Sequence, residues 1–269
     1  IDAESYPAFS DLGDLDAAVD GSYAVPDPAN PARSWLVLGR RSSDTWTDVV
    51  TIRASDPPAA LNPTIGYETS TTRLGSVPVT AHVINSPTAP EQTFYTWEVN
   101  GVGVTMNDGP DAAALAEATV ASRSVDGPWP SIDVDAFPDG LTVLAGPFQS
   151  SPAPQPGLST DTGSGFGLDV FVGPGLGVPA TADRLAVHDL GDVEAYSAPL
   201  DDGAIVSWPV APDAWATLSS RGVSQERLVE IARDITFVDE TTWSTIYDPG
   251  PVDSYTAIPT TIPAEPSSE

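Results

Sequence analysis

One pattern occurs twice along the chain, and it narrows the possible folds more than any other feature. The first copy reads Thr96-Trp97-Glu-Val-Asn-Gly-Val-Gly-Val-Thr-Met106, then Asn-Asp-Gly109, then an Ala-rich segment holding Leu115. The second reads Ser207-Trp208-Pro-Val-Ala-Pro-Asp-Ala-Trp-Ala-Thr217-Leu218, then a turn at Gly222, then a segment holding Leu228. Each predicts a Trp-led strand, a second strand, a glycine turn and a helix. Upstream of the copies lie Leu74-Gly75-Ser76-Val77 and Leu190-Gly191-Asp192-Val193. Further back, Asp14-Leu-Asp16-Ala-Ala-Val-Asp20-Gly21 matches Asp133-Val-Asp135-Ala-Phe-Pro-Asp139-Gly140. Apolar runs follow both, Trp35 to Leu38 and Leu141 to Leu144. Landmarks in the same order divide the chain into halves at residues 10–126 and 127–248.

The expected fold is α+β: a tandem duplication of an antiparallel-sheet unit with one helix per half, plus a Pro-rich C-terminal tail over 249–269. Alternating segments at 48–53, 77–83, 93–99 and 167–172 read as half-buried strands. The second helix starts at Ser224, a good N-cap, with Glu226 in the first turn where the helix dipole favours an acid. Leu228, Ile231, Ala232 and Ile235 then form one apolar stripe. In the first helix Asp108 or Asp111 is the expected cap, and Leu115 and Ala118 face inward. Pro- and Ser-rich composition predicts a loop over 146–165 and an extended tail or stalk after Asp248.

Charge excludes whole classes of partner. The 38 acidic residues stand against 10 basic ones, a net charge of -28, and every basic residue is arginine. Such a field repels phosphate backbones and anionic lipid, so no nucleic-acid partner is expected. The absence of lysine fits either a GC-rich genome or adaptation to high salt. The absence of cysteine rules out disulfides, thiol catalysis and cysteine zinc sites. No apolar run is long enough to insert this segment in a membrane. A chain that begins at Ile1, holds one methionine and is rich in Pro, Ser and Thr reads as exported, extracellular or at the cell surface.

Three groups of residues could carry chemistry. Each Asp-x-Asp-x-x-x-Asp-Gly presents three carboxylates before a glycine, which could wrap a hard cation through oxygen ligands. Asp14, Asp16 and Asp20, with Asp133, Asp135 and Asp139, are therefore the candidate metal ligands, and Ca2+ the candidate cofactor. The competing reading is a polar turn in which Asp caps backbone donors and Gly takes a positive φ. His82 and His188 lack a His or Cys partner at ligand spacing and read as structural. No Gly-x-Ser-x-Gly elbow occurs; the nearest run is Gly163-Ser164-Gly165. The glycine-rich run from Gly165 to Gly177 has no Walker lysine and reads as strand and turn punctuation. Among the seven tryptophans, Trp97 and Trp208 are expected in the core. Trp46, Trp129 and Trp243 lie beside polar or Pro-rich residues and could form a carbohydrate or peptide platform.

The run from Trp208 to Ile235, with Leu-Ser-Ser-Arg-Gly-Val-Ser224 leading into Glu-Arg-Leu228-Val-Glu-Ile231-Ala232, resembles a small domain of unknown function. That domain occurs in exported proteins and anti-sigma-factor ectodomains of Gram-positive bacteria, actinobacteria among them. The resemblance implies an envelope-facing module with a protein partner in the cell envelope, of regulatory or scaffolding type, and brings no catalytic residues. The functional expectation is a non-enzymatic exported binding, sensor or structural module. A glycan-directed enzyme or accessory subunit, and a subunit of a surface layer, filament or larger complex, are the alternatives.

Overall fold

The computed structural model describes residues 6–9, 18–24, 33–55, 67–84, 91–99, 101–121, 137–149, 155–161, 167–177, 182–200, 202–212 and 214–248. In the first half lie strands β1 (Tyr6–Phe9), β2 (Ala18–Ala24), β3 (Arg33–Arg41), β4 (Thr45–Ser55), β5 (Tyr67–Leu74), β6 (Val77–Ile84), β7 (Gln92–Val99) and β8 (Val102–Asn107), followed by helix α1 (Ala112–Ala121). In the second lie β9 (Thr142–Gln149), β10 (Gln155–Asp161), β11 (Gly167–Gly173), β12 (Arg184–Asp189), β13 (Glu194–Leu200), β14 (Gly203–Ala211) and β15 (Ala214–Arg221). The chain continues through α2 (Gln225–Asp234), β16 (Ile235–Val238) and α3 (Glu240–Tyr247).

The α+β expectation of one helix per half is corrected by this layout. The fold is mostly β: among the described residues fourteen strands join in one antiparallel sheet, β1 and β16 form a small second one, and the helices are short. The helices at Leu115 and Leu228 form as their sequences predict, but each covers only a patch of sheet. Ser224 caps α2, accepting from the Arg227 N–H at 3.3 Å. A third helix, α3, capped by Asp239, follows where none was expected. Strand β10 also forms inside the stretch expected to be a loop. Its sequence, Gln-Pro-Gly-Leu-Ser-Thr-Asp, has weak strand preference, yet β2 and β11 pair it from both sides and bury Leu158 and Thr160. Long-range pairing overrides local propensity there. The expected tail over 249–269 lies outside the described residues.

Strand order is the same in the two halves. The first runs β3-β4-β8-β7-β6-β5 and the second β10-β11-β15-β14-β13-β12. Trp97 and Trp208 sit on corresponding strands, β7 and β14, and in each half one more strand leads to the helix. Each joins the core cluster that holds its own half's helix. One matched landmark is corrected. Trp35 to Leu38 lies on β3, whose counterpart by strand order is β10, whereas Leu141 to Leu144 leads into β9. Strands β3 and β9 are paired neighbours, with Val37 opposite Ala145 and Leu38 opposite Val143. The opening strands are exchanged: β2 of the first half pairs with β10 of the second, and β9 of the second pairs with β3 of the first.

The junction depends on a bulge in β4. Leu38 is opposite Val50 and Arg40 opposite Thr47, so β4 holds one residue more than β3 over this step. Asp48 takes a φ of 51° at that point. Beyond the bulge, Ile52 to Ser55 pair with β8; before it, Thr45 to Thr47 pair with β12 of the other half. The bulge also reverses which face the side chains occupy. Val50 and Ile52 point into the first core with Leu36, Leu38, Met106 and Leu115. Trp46 and Val49 point into a third cluster with Val37, Leu185, Tyr196, Ile205 and Trp215, drawn from both halves. Arg40 spans Asp48 at 3.0 Å and Asp111 at 2.6 Å, tying the bulge to the start of α1. Arg41 grips both carboxylate oxygens of Glu194 on β13 at 2.7 and 2.6 Å.

Candidate functional site

A groove of about 570 Å3 opens where β9 meets the tip of the β14–β15 hairpin. Five consecutive residues of β9, Val143 to Pro147, border it, and so do four of the hairpin, Pro209 to Pro212. Neighbouring residues on a strand point to opposite faces. A groove lined by an unbroken run therefore follows the strand's edge rather than one face. Among the described residues β9 pairs only with β3, so its other edge is the one beside the groove. Val193 and Trp215 complete the lining. None of the eleven lining residues is ionisable, in a chain of net charge -28, and three are prolines. Val143 is 38% exposed, one of few large apolar side chains open to solvent among the described residues.

The second feature is a serine–histidine pair. Ser197 on β13 and His188 on β12 are diagonal neighbours, since Ser197 pairs with Ala186 and His188 with Ala195. His188 Nε2 lies 2.6 Å from Ser197 Oγ, and the Gln225 amide of α2 donates to the same oxygen. Burial holds the His188 imidazolium below its ordinary pKa; the Arg233 charge adds to this and Glu226 opposes it. A neutral imidazole that accepts from a serine hydroxyl is the geometry of an activated nucleophile. Here Ser197 is 1% exposed, sealed between the sheet and α2. The arrangement satisfies the buried Ser197 hydroxyl and holds the half-buried His188 ring against it, with the serine oxygen itself closed off from solvent.

The first half holds a comparable diagonal pair. His82 Nε2 on β6 is 2.8 Å from Thr96 Oγ1 on β7, and its ring stacks on Phe94 with centroids 4.8 Å apart. Tyr67 meets it edge-on. The residue is 5% exposed, and burial lowers its pKa. Both histidines thus sit in the sheet as structural residues.

Of the six candidate metal ligands, Asp14, Asp16, Asp133 and Asp135 lie outside the described residues. Asp20 is exposed within β2, opposite Ser159, which in turn is opposite Asp169 of β11. Burial raises the Asp169 carboxyl, and the Arg221 charge opposes the rise. Asp139 is exposed in a turn closed by the Leu141 N–H on the Pro138 carbonyl at 3.1 Å, with Gly140 at φ 80°. One aspartate is thus within a strand and the other in a turn. Among the described residues no three His, Asp or Glu side chains converge as a metal site would need.

The expected tryptophan platform is corrected as well. Trp46 is 5% exposed in the cluster between the halves and Trp243 is fully buried beneath β1, while Trp129 lies outside the described residues. Their polar sequence neighbours gave no sign of this: around Trp46 alternate strand residues face opposite ways, and around Trp243 the polar residues lie on the other faces of helix α3. The tryptophan that reaches a groove is Trp215, and the signal for it was its place between Pro212 and the Ala-Thr-Leu strand. No family model, curated protein or solved structure matches this chain.

Proposed function

We propose that this protein is a non-enzymatic binding module of the cell envelope, whose ligand surface is the groove between β9 and the β14–β15 hairpin. Its ligand is an extended, uncharged stretch of a partner protein. The observation that carries the reading is the lining: eleven residues without an ionisable group on a molecule of net charge -28. An uncharged strip on so acidic a surface is the part that is cheapest to desolvate. Its volume lies within the ~300–1,000 Å3 common to ligand sites. Strand β9 offers backbone donors and acceptors along the groove, and the rings of Pro147, Pro209 and Pro212 offer apolar contact above the largely buried Trp215. Together these suit an extended peptide, which gains main-chain bonds from one wall and side-chain contacts from the other. The buried Ser197 supports a structural role for the one serine–histidine pair, and so favours a module without catalysis. The likeness of the Trp208–Ile235 run to envelope domains favours the same setting.

Titration of uncharged, Pro-containing extended peptides, followed by NMR of the labelled protein, tests this. Shifts should cluster at Val143 to Pro147 and Val210 to Trp215. Val143→Asp puts a carboxylate at an exposed rim position and should weaken binding at least ~10-fold, the effect of about 1.4 kcal/mol, with the melting temperature unchanged. Shifts elsewhere, or binding indifferent to that substitution, would refute the assignment. Turnover of a glycan or ester substrate that is lost in Ser197→Ala would replace it with an enzyme.

A further inference from the structure

The repeat leaves one strand edge treated differently in the two halves. By strand order β12 and β5 correspond, each at the end of its half's run. The outer edge of β12 is covered: Arg184, Leu185 and Ala186 pair with Thr47, Trp46 and Thr45 of β4. Flanking bonds from Val49 N to Asp183 O and from Val187 N to Asp44 O extend the cover. The outer edge of β5 has no such cover among the described residues, where β5 pairs only with β6. Strand β11, the counterpart of β4, spends its whole length on β10 and β15 and has no extension to lend.

Strand β5 has few of the devices that protect such an edge. Natural edge strands carry proline, lysine, a bulge or an inward charge to block pairing with another chain. Strand β5 reads Tyr67-Glu-Thr-Ser-Thr-Thr-Arg-Leu74 and pairs with β6 over eight positions without a bulge. Glu68 and Arg73 cancel, so the strand is neutral in a molecule of net charge -28. Four hydroxyl residues fill its centre, and residues 68–73 are all exposed.

We propose that the outer edge of β5 joins two copies of this chain, by antiparallel pairing of β5 with β5 of the second copy. The register follows from the hairpin. The turn Gly75–Ser76, with Gly75 at φ 57°, closes on Leu74 and Val77, which makes that pair the hydrogen-bonded kind. Bonding alternates along an antiparallel pair. Leu74, Thr72, Ser70 and Glu68 therefore direct their backbone groups to β6. Arg73, Thr71, Thr69 and Tyr67 direct theirs outward. A two-fold axis normal to the sheet keeps each residue on its own face, so an even residue sum is required for opposed positions. Centring the axis on Ser70 sets Tyr67 opposite Arg73 and Thr69 opposite Thr71 of the second copy. Every outward group on both strands is then used. Centring on Thr71 leaves Tyr67 facing the turn and loses two of these bonds. The Ser70 register also sets an aromatic ring beside a guanidinium stem and threonine beside threonine, pairs that favour sheet formation.

Repulsion between two strongly acidic chains opposes the contact, while the strand bonds themselves are short-range. Salt separates the two effects, because the Debye length falls from about 30 Å at 0.01 M to about 3 Å at 1 M. Sedimentation of the intact chain should show dimer growing with salt. The chain has no cysteine, so Ser70→Cys carries the only thiol. In the proposed register its Cβ lies about 5 Å from its mate, within disulfide reach. Thr72→Cys shares the same exposure and bonding class, yet its mate is four residues away along the strand, about 13 Å. Mild oxidation in high salt should link the Ser70→Cys protein at least tenfold faster than the Thr72→Cys protein. Thr71→Pro removes an outward N–H that β6 does not use, so it should abolish the dimer and leave the melting temperature near wild type. Equal linking by the two cysteine variants, or a dimer that survives Thr71→Pro in the folded protein, would overturn the proposal. So would a wild-type chain that stays monomeric in high salt, which would leave the edge to a different partner. Loss of folding in Thr71→Pro would show the β5–β6 bonding pattern to be otherwise and refute the register.

Discussion

Asn107 bonds the backbone of β4 beside its bulge: its side-chain oxygen accepts from the Thr51 N–H at 2.6 Å, and its amide donates to the Val49 carbonyl at 3.0 Å. A bulge interrupts the regular ladder and leaves main-chain groups without strand partners. Asn107, itself buried at the end of β8, supplies both a donor and an acceptor at that interruption. Asn107→Leu should therefore cost about 2–4 kcal/mol, since two buried backbone groups lose their partners at once. Urea denaturation measures this. A loss below about 0.5 kcal/mol would mean that the bulge does not depend on this side chain.

Trp46 is the second support of the junction. It lies in the cluster shared by the halves, opposite Leu185 of β12, with the Arg41 guanidinium 5.7 Å from its ring. Trp46→Ala should cost about 3–5 kcal/mol, the usual range for a buried tryptophan. Amide exchange should accelerate first at Arg184 to Ala186, which pair with this part of β4. Uniform acceleration through both halves would show instead that they open as one unit.

His82 and His188 make stability depend on pH near neutrality. Burial lowers both imidazolium pKa values from 6.5 in the folded chain. Between the lowered and the ordinary value the unfolded state binds more protons, so stability rises with pH. The melting temperature should therefore fall as pH drops from about 7.5 to about 5.5, before most carboxylates titrate. His82→Gln should flatten part of this slope, and the rest should go with His188→Gln. A melting curve flat across this window in the wild-type protein would contradict the lowered pKa values of the two rings.

Salt should stabilise the fold. With 38 acids and 10 arginines, compaction brings like charges together. Raising ionic strength from about 0.01 M to about 1 M shortens the screening length tenfold, so the melting temperature should climb through this range. Arg41 and Glu194 are paired and exposed, and their contact should weaken with salt; a falling melting temperature would mean that such pairs outweigh the net repulsion.

Much of the local architecture could be read from side-chain spacing alone. The stripe Leu228, Ile231 and Ala232, with Ser224 before it, is written in helical periodicity, and α2 buries those residues. Alternation at 77–83 and 93–99 marks β6 and β7, and the repeated Trp strand marks β7 and β14. These signals act between residues two to four apart, so they survive in a one-dimensional string. Composition likewise determined the net charge and the absence of any thiol.

The tertiary structure decided everything that depends on which strands meet. The exchange of β2 and β9 between the halves, the strand at Gln155–Asp161 and the pairing of β4 with β12 are long-range registers with no local signature. The bulge at Asp48 sets the facing of Trp46, so that a tryptophan in polar sequence surroundings packs with Trp215 in the cluster between the halves. His188 and Ser197 are nine positions apart and meet only because β12 and β13 pair in one particular register. A strand edge is free or covered according to what the rest of the chain brings to it. Among the described residues the same place in the two halves is therefore filled at β12 and unpaired at β5.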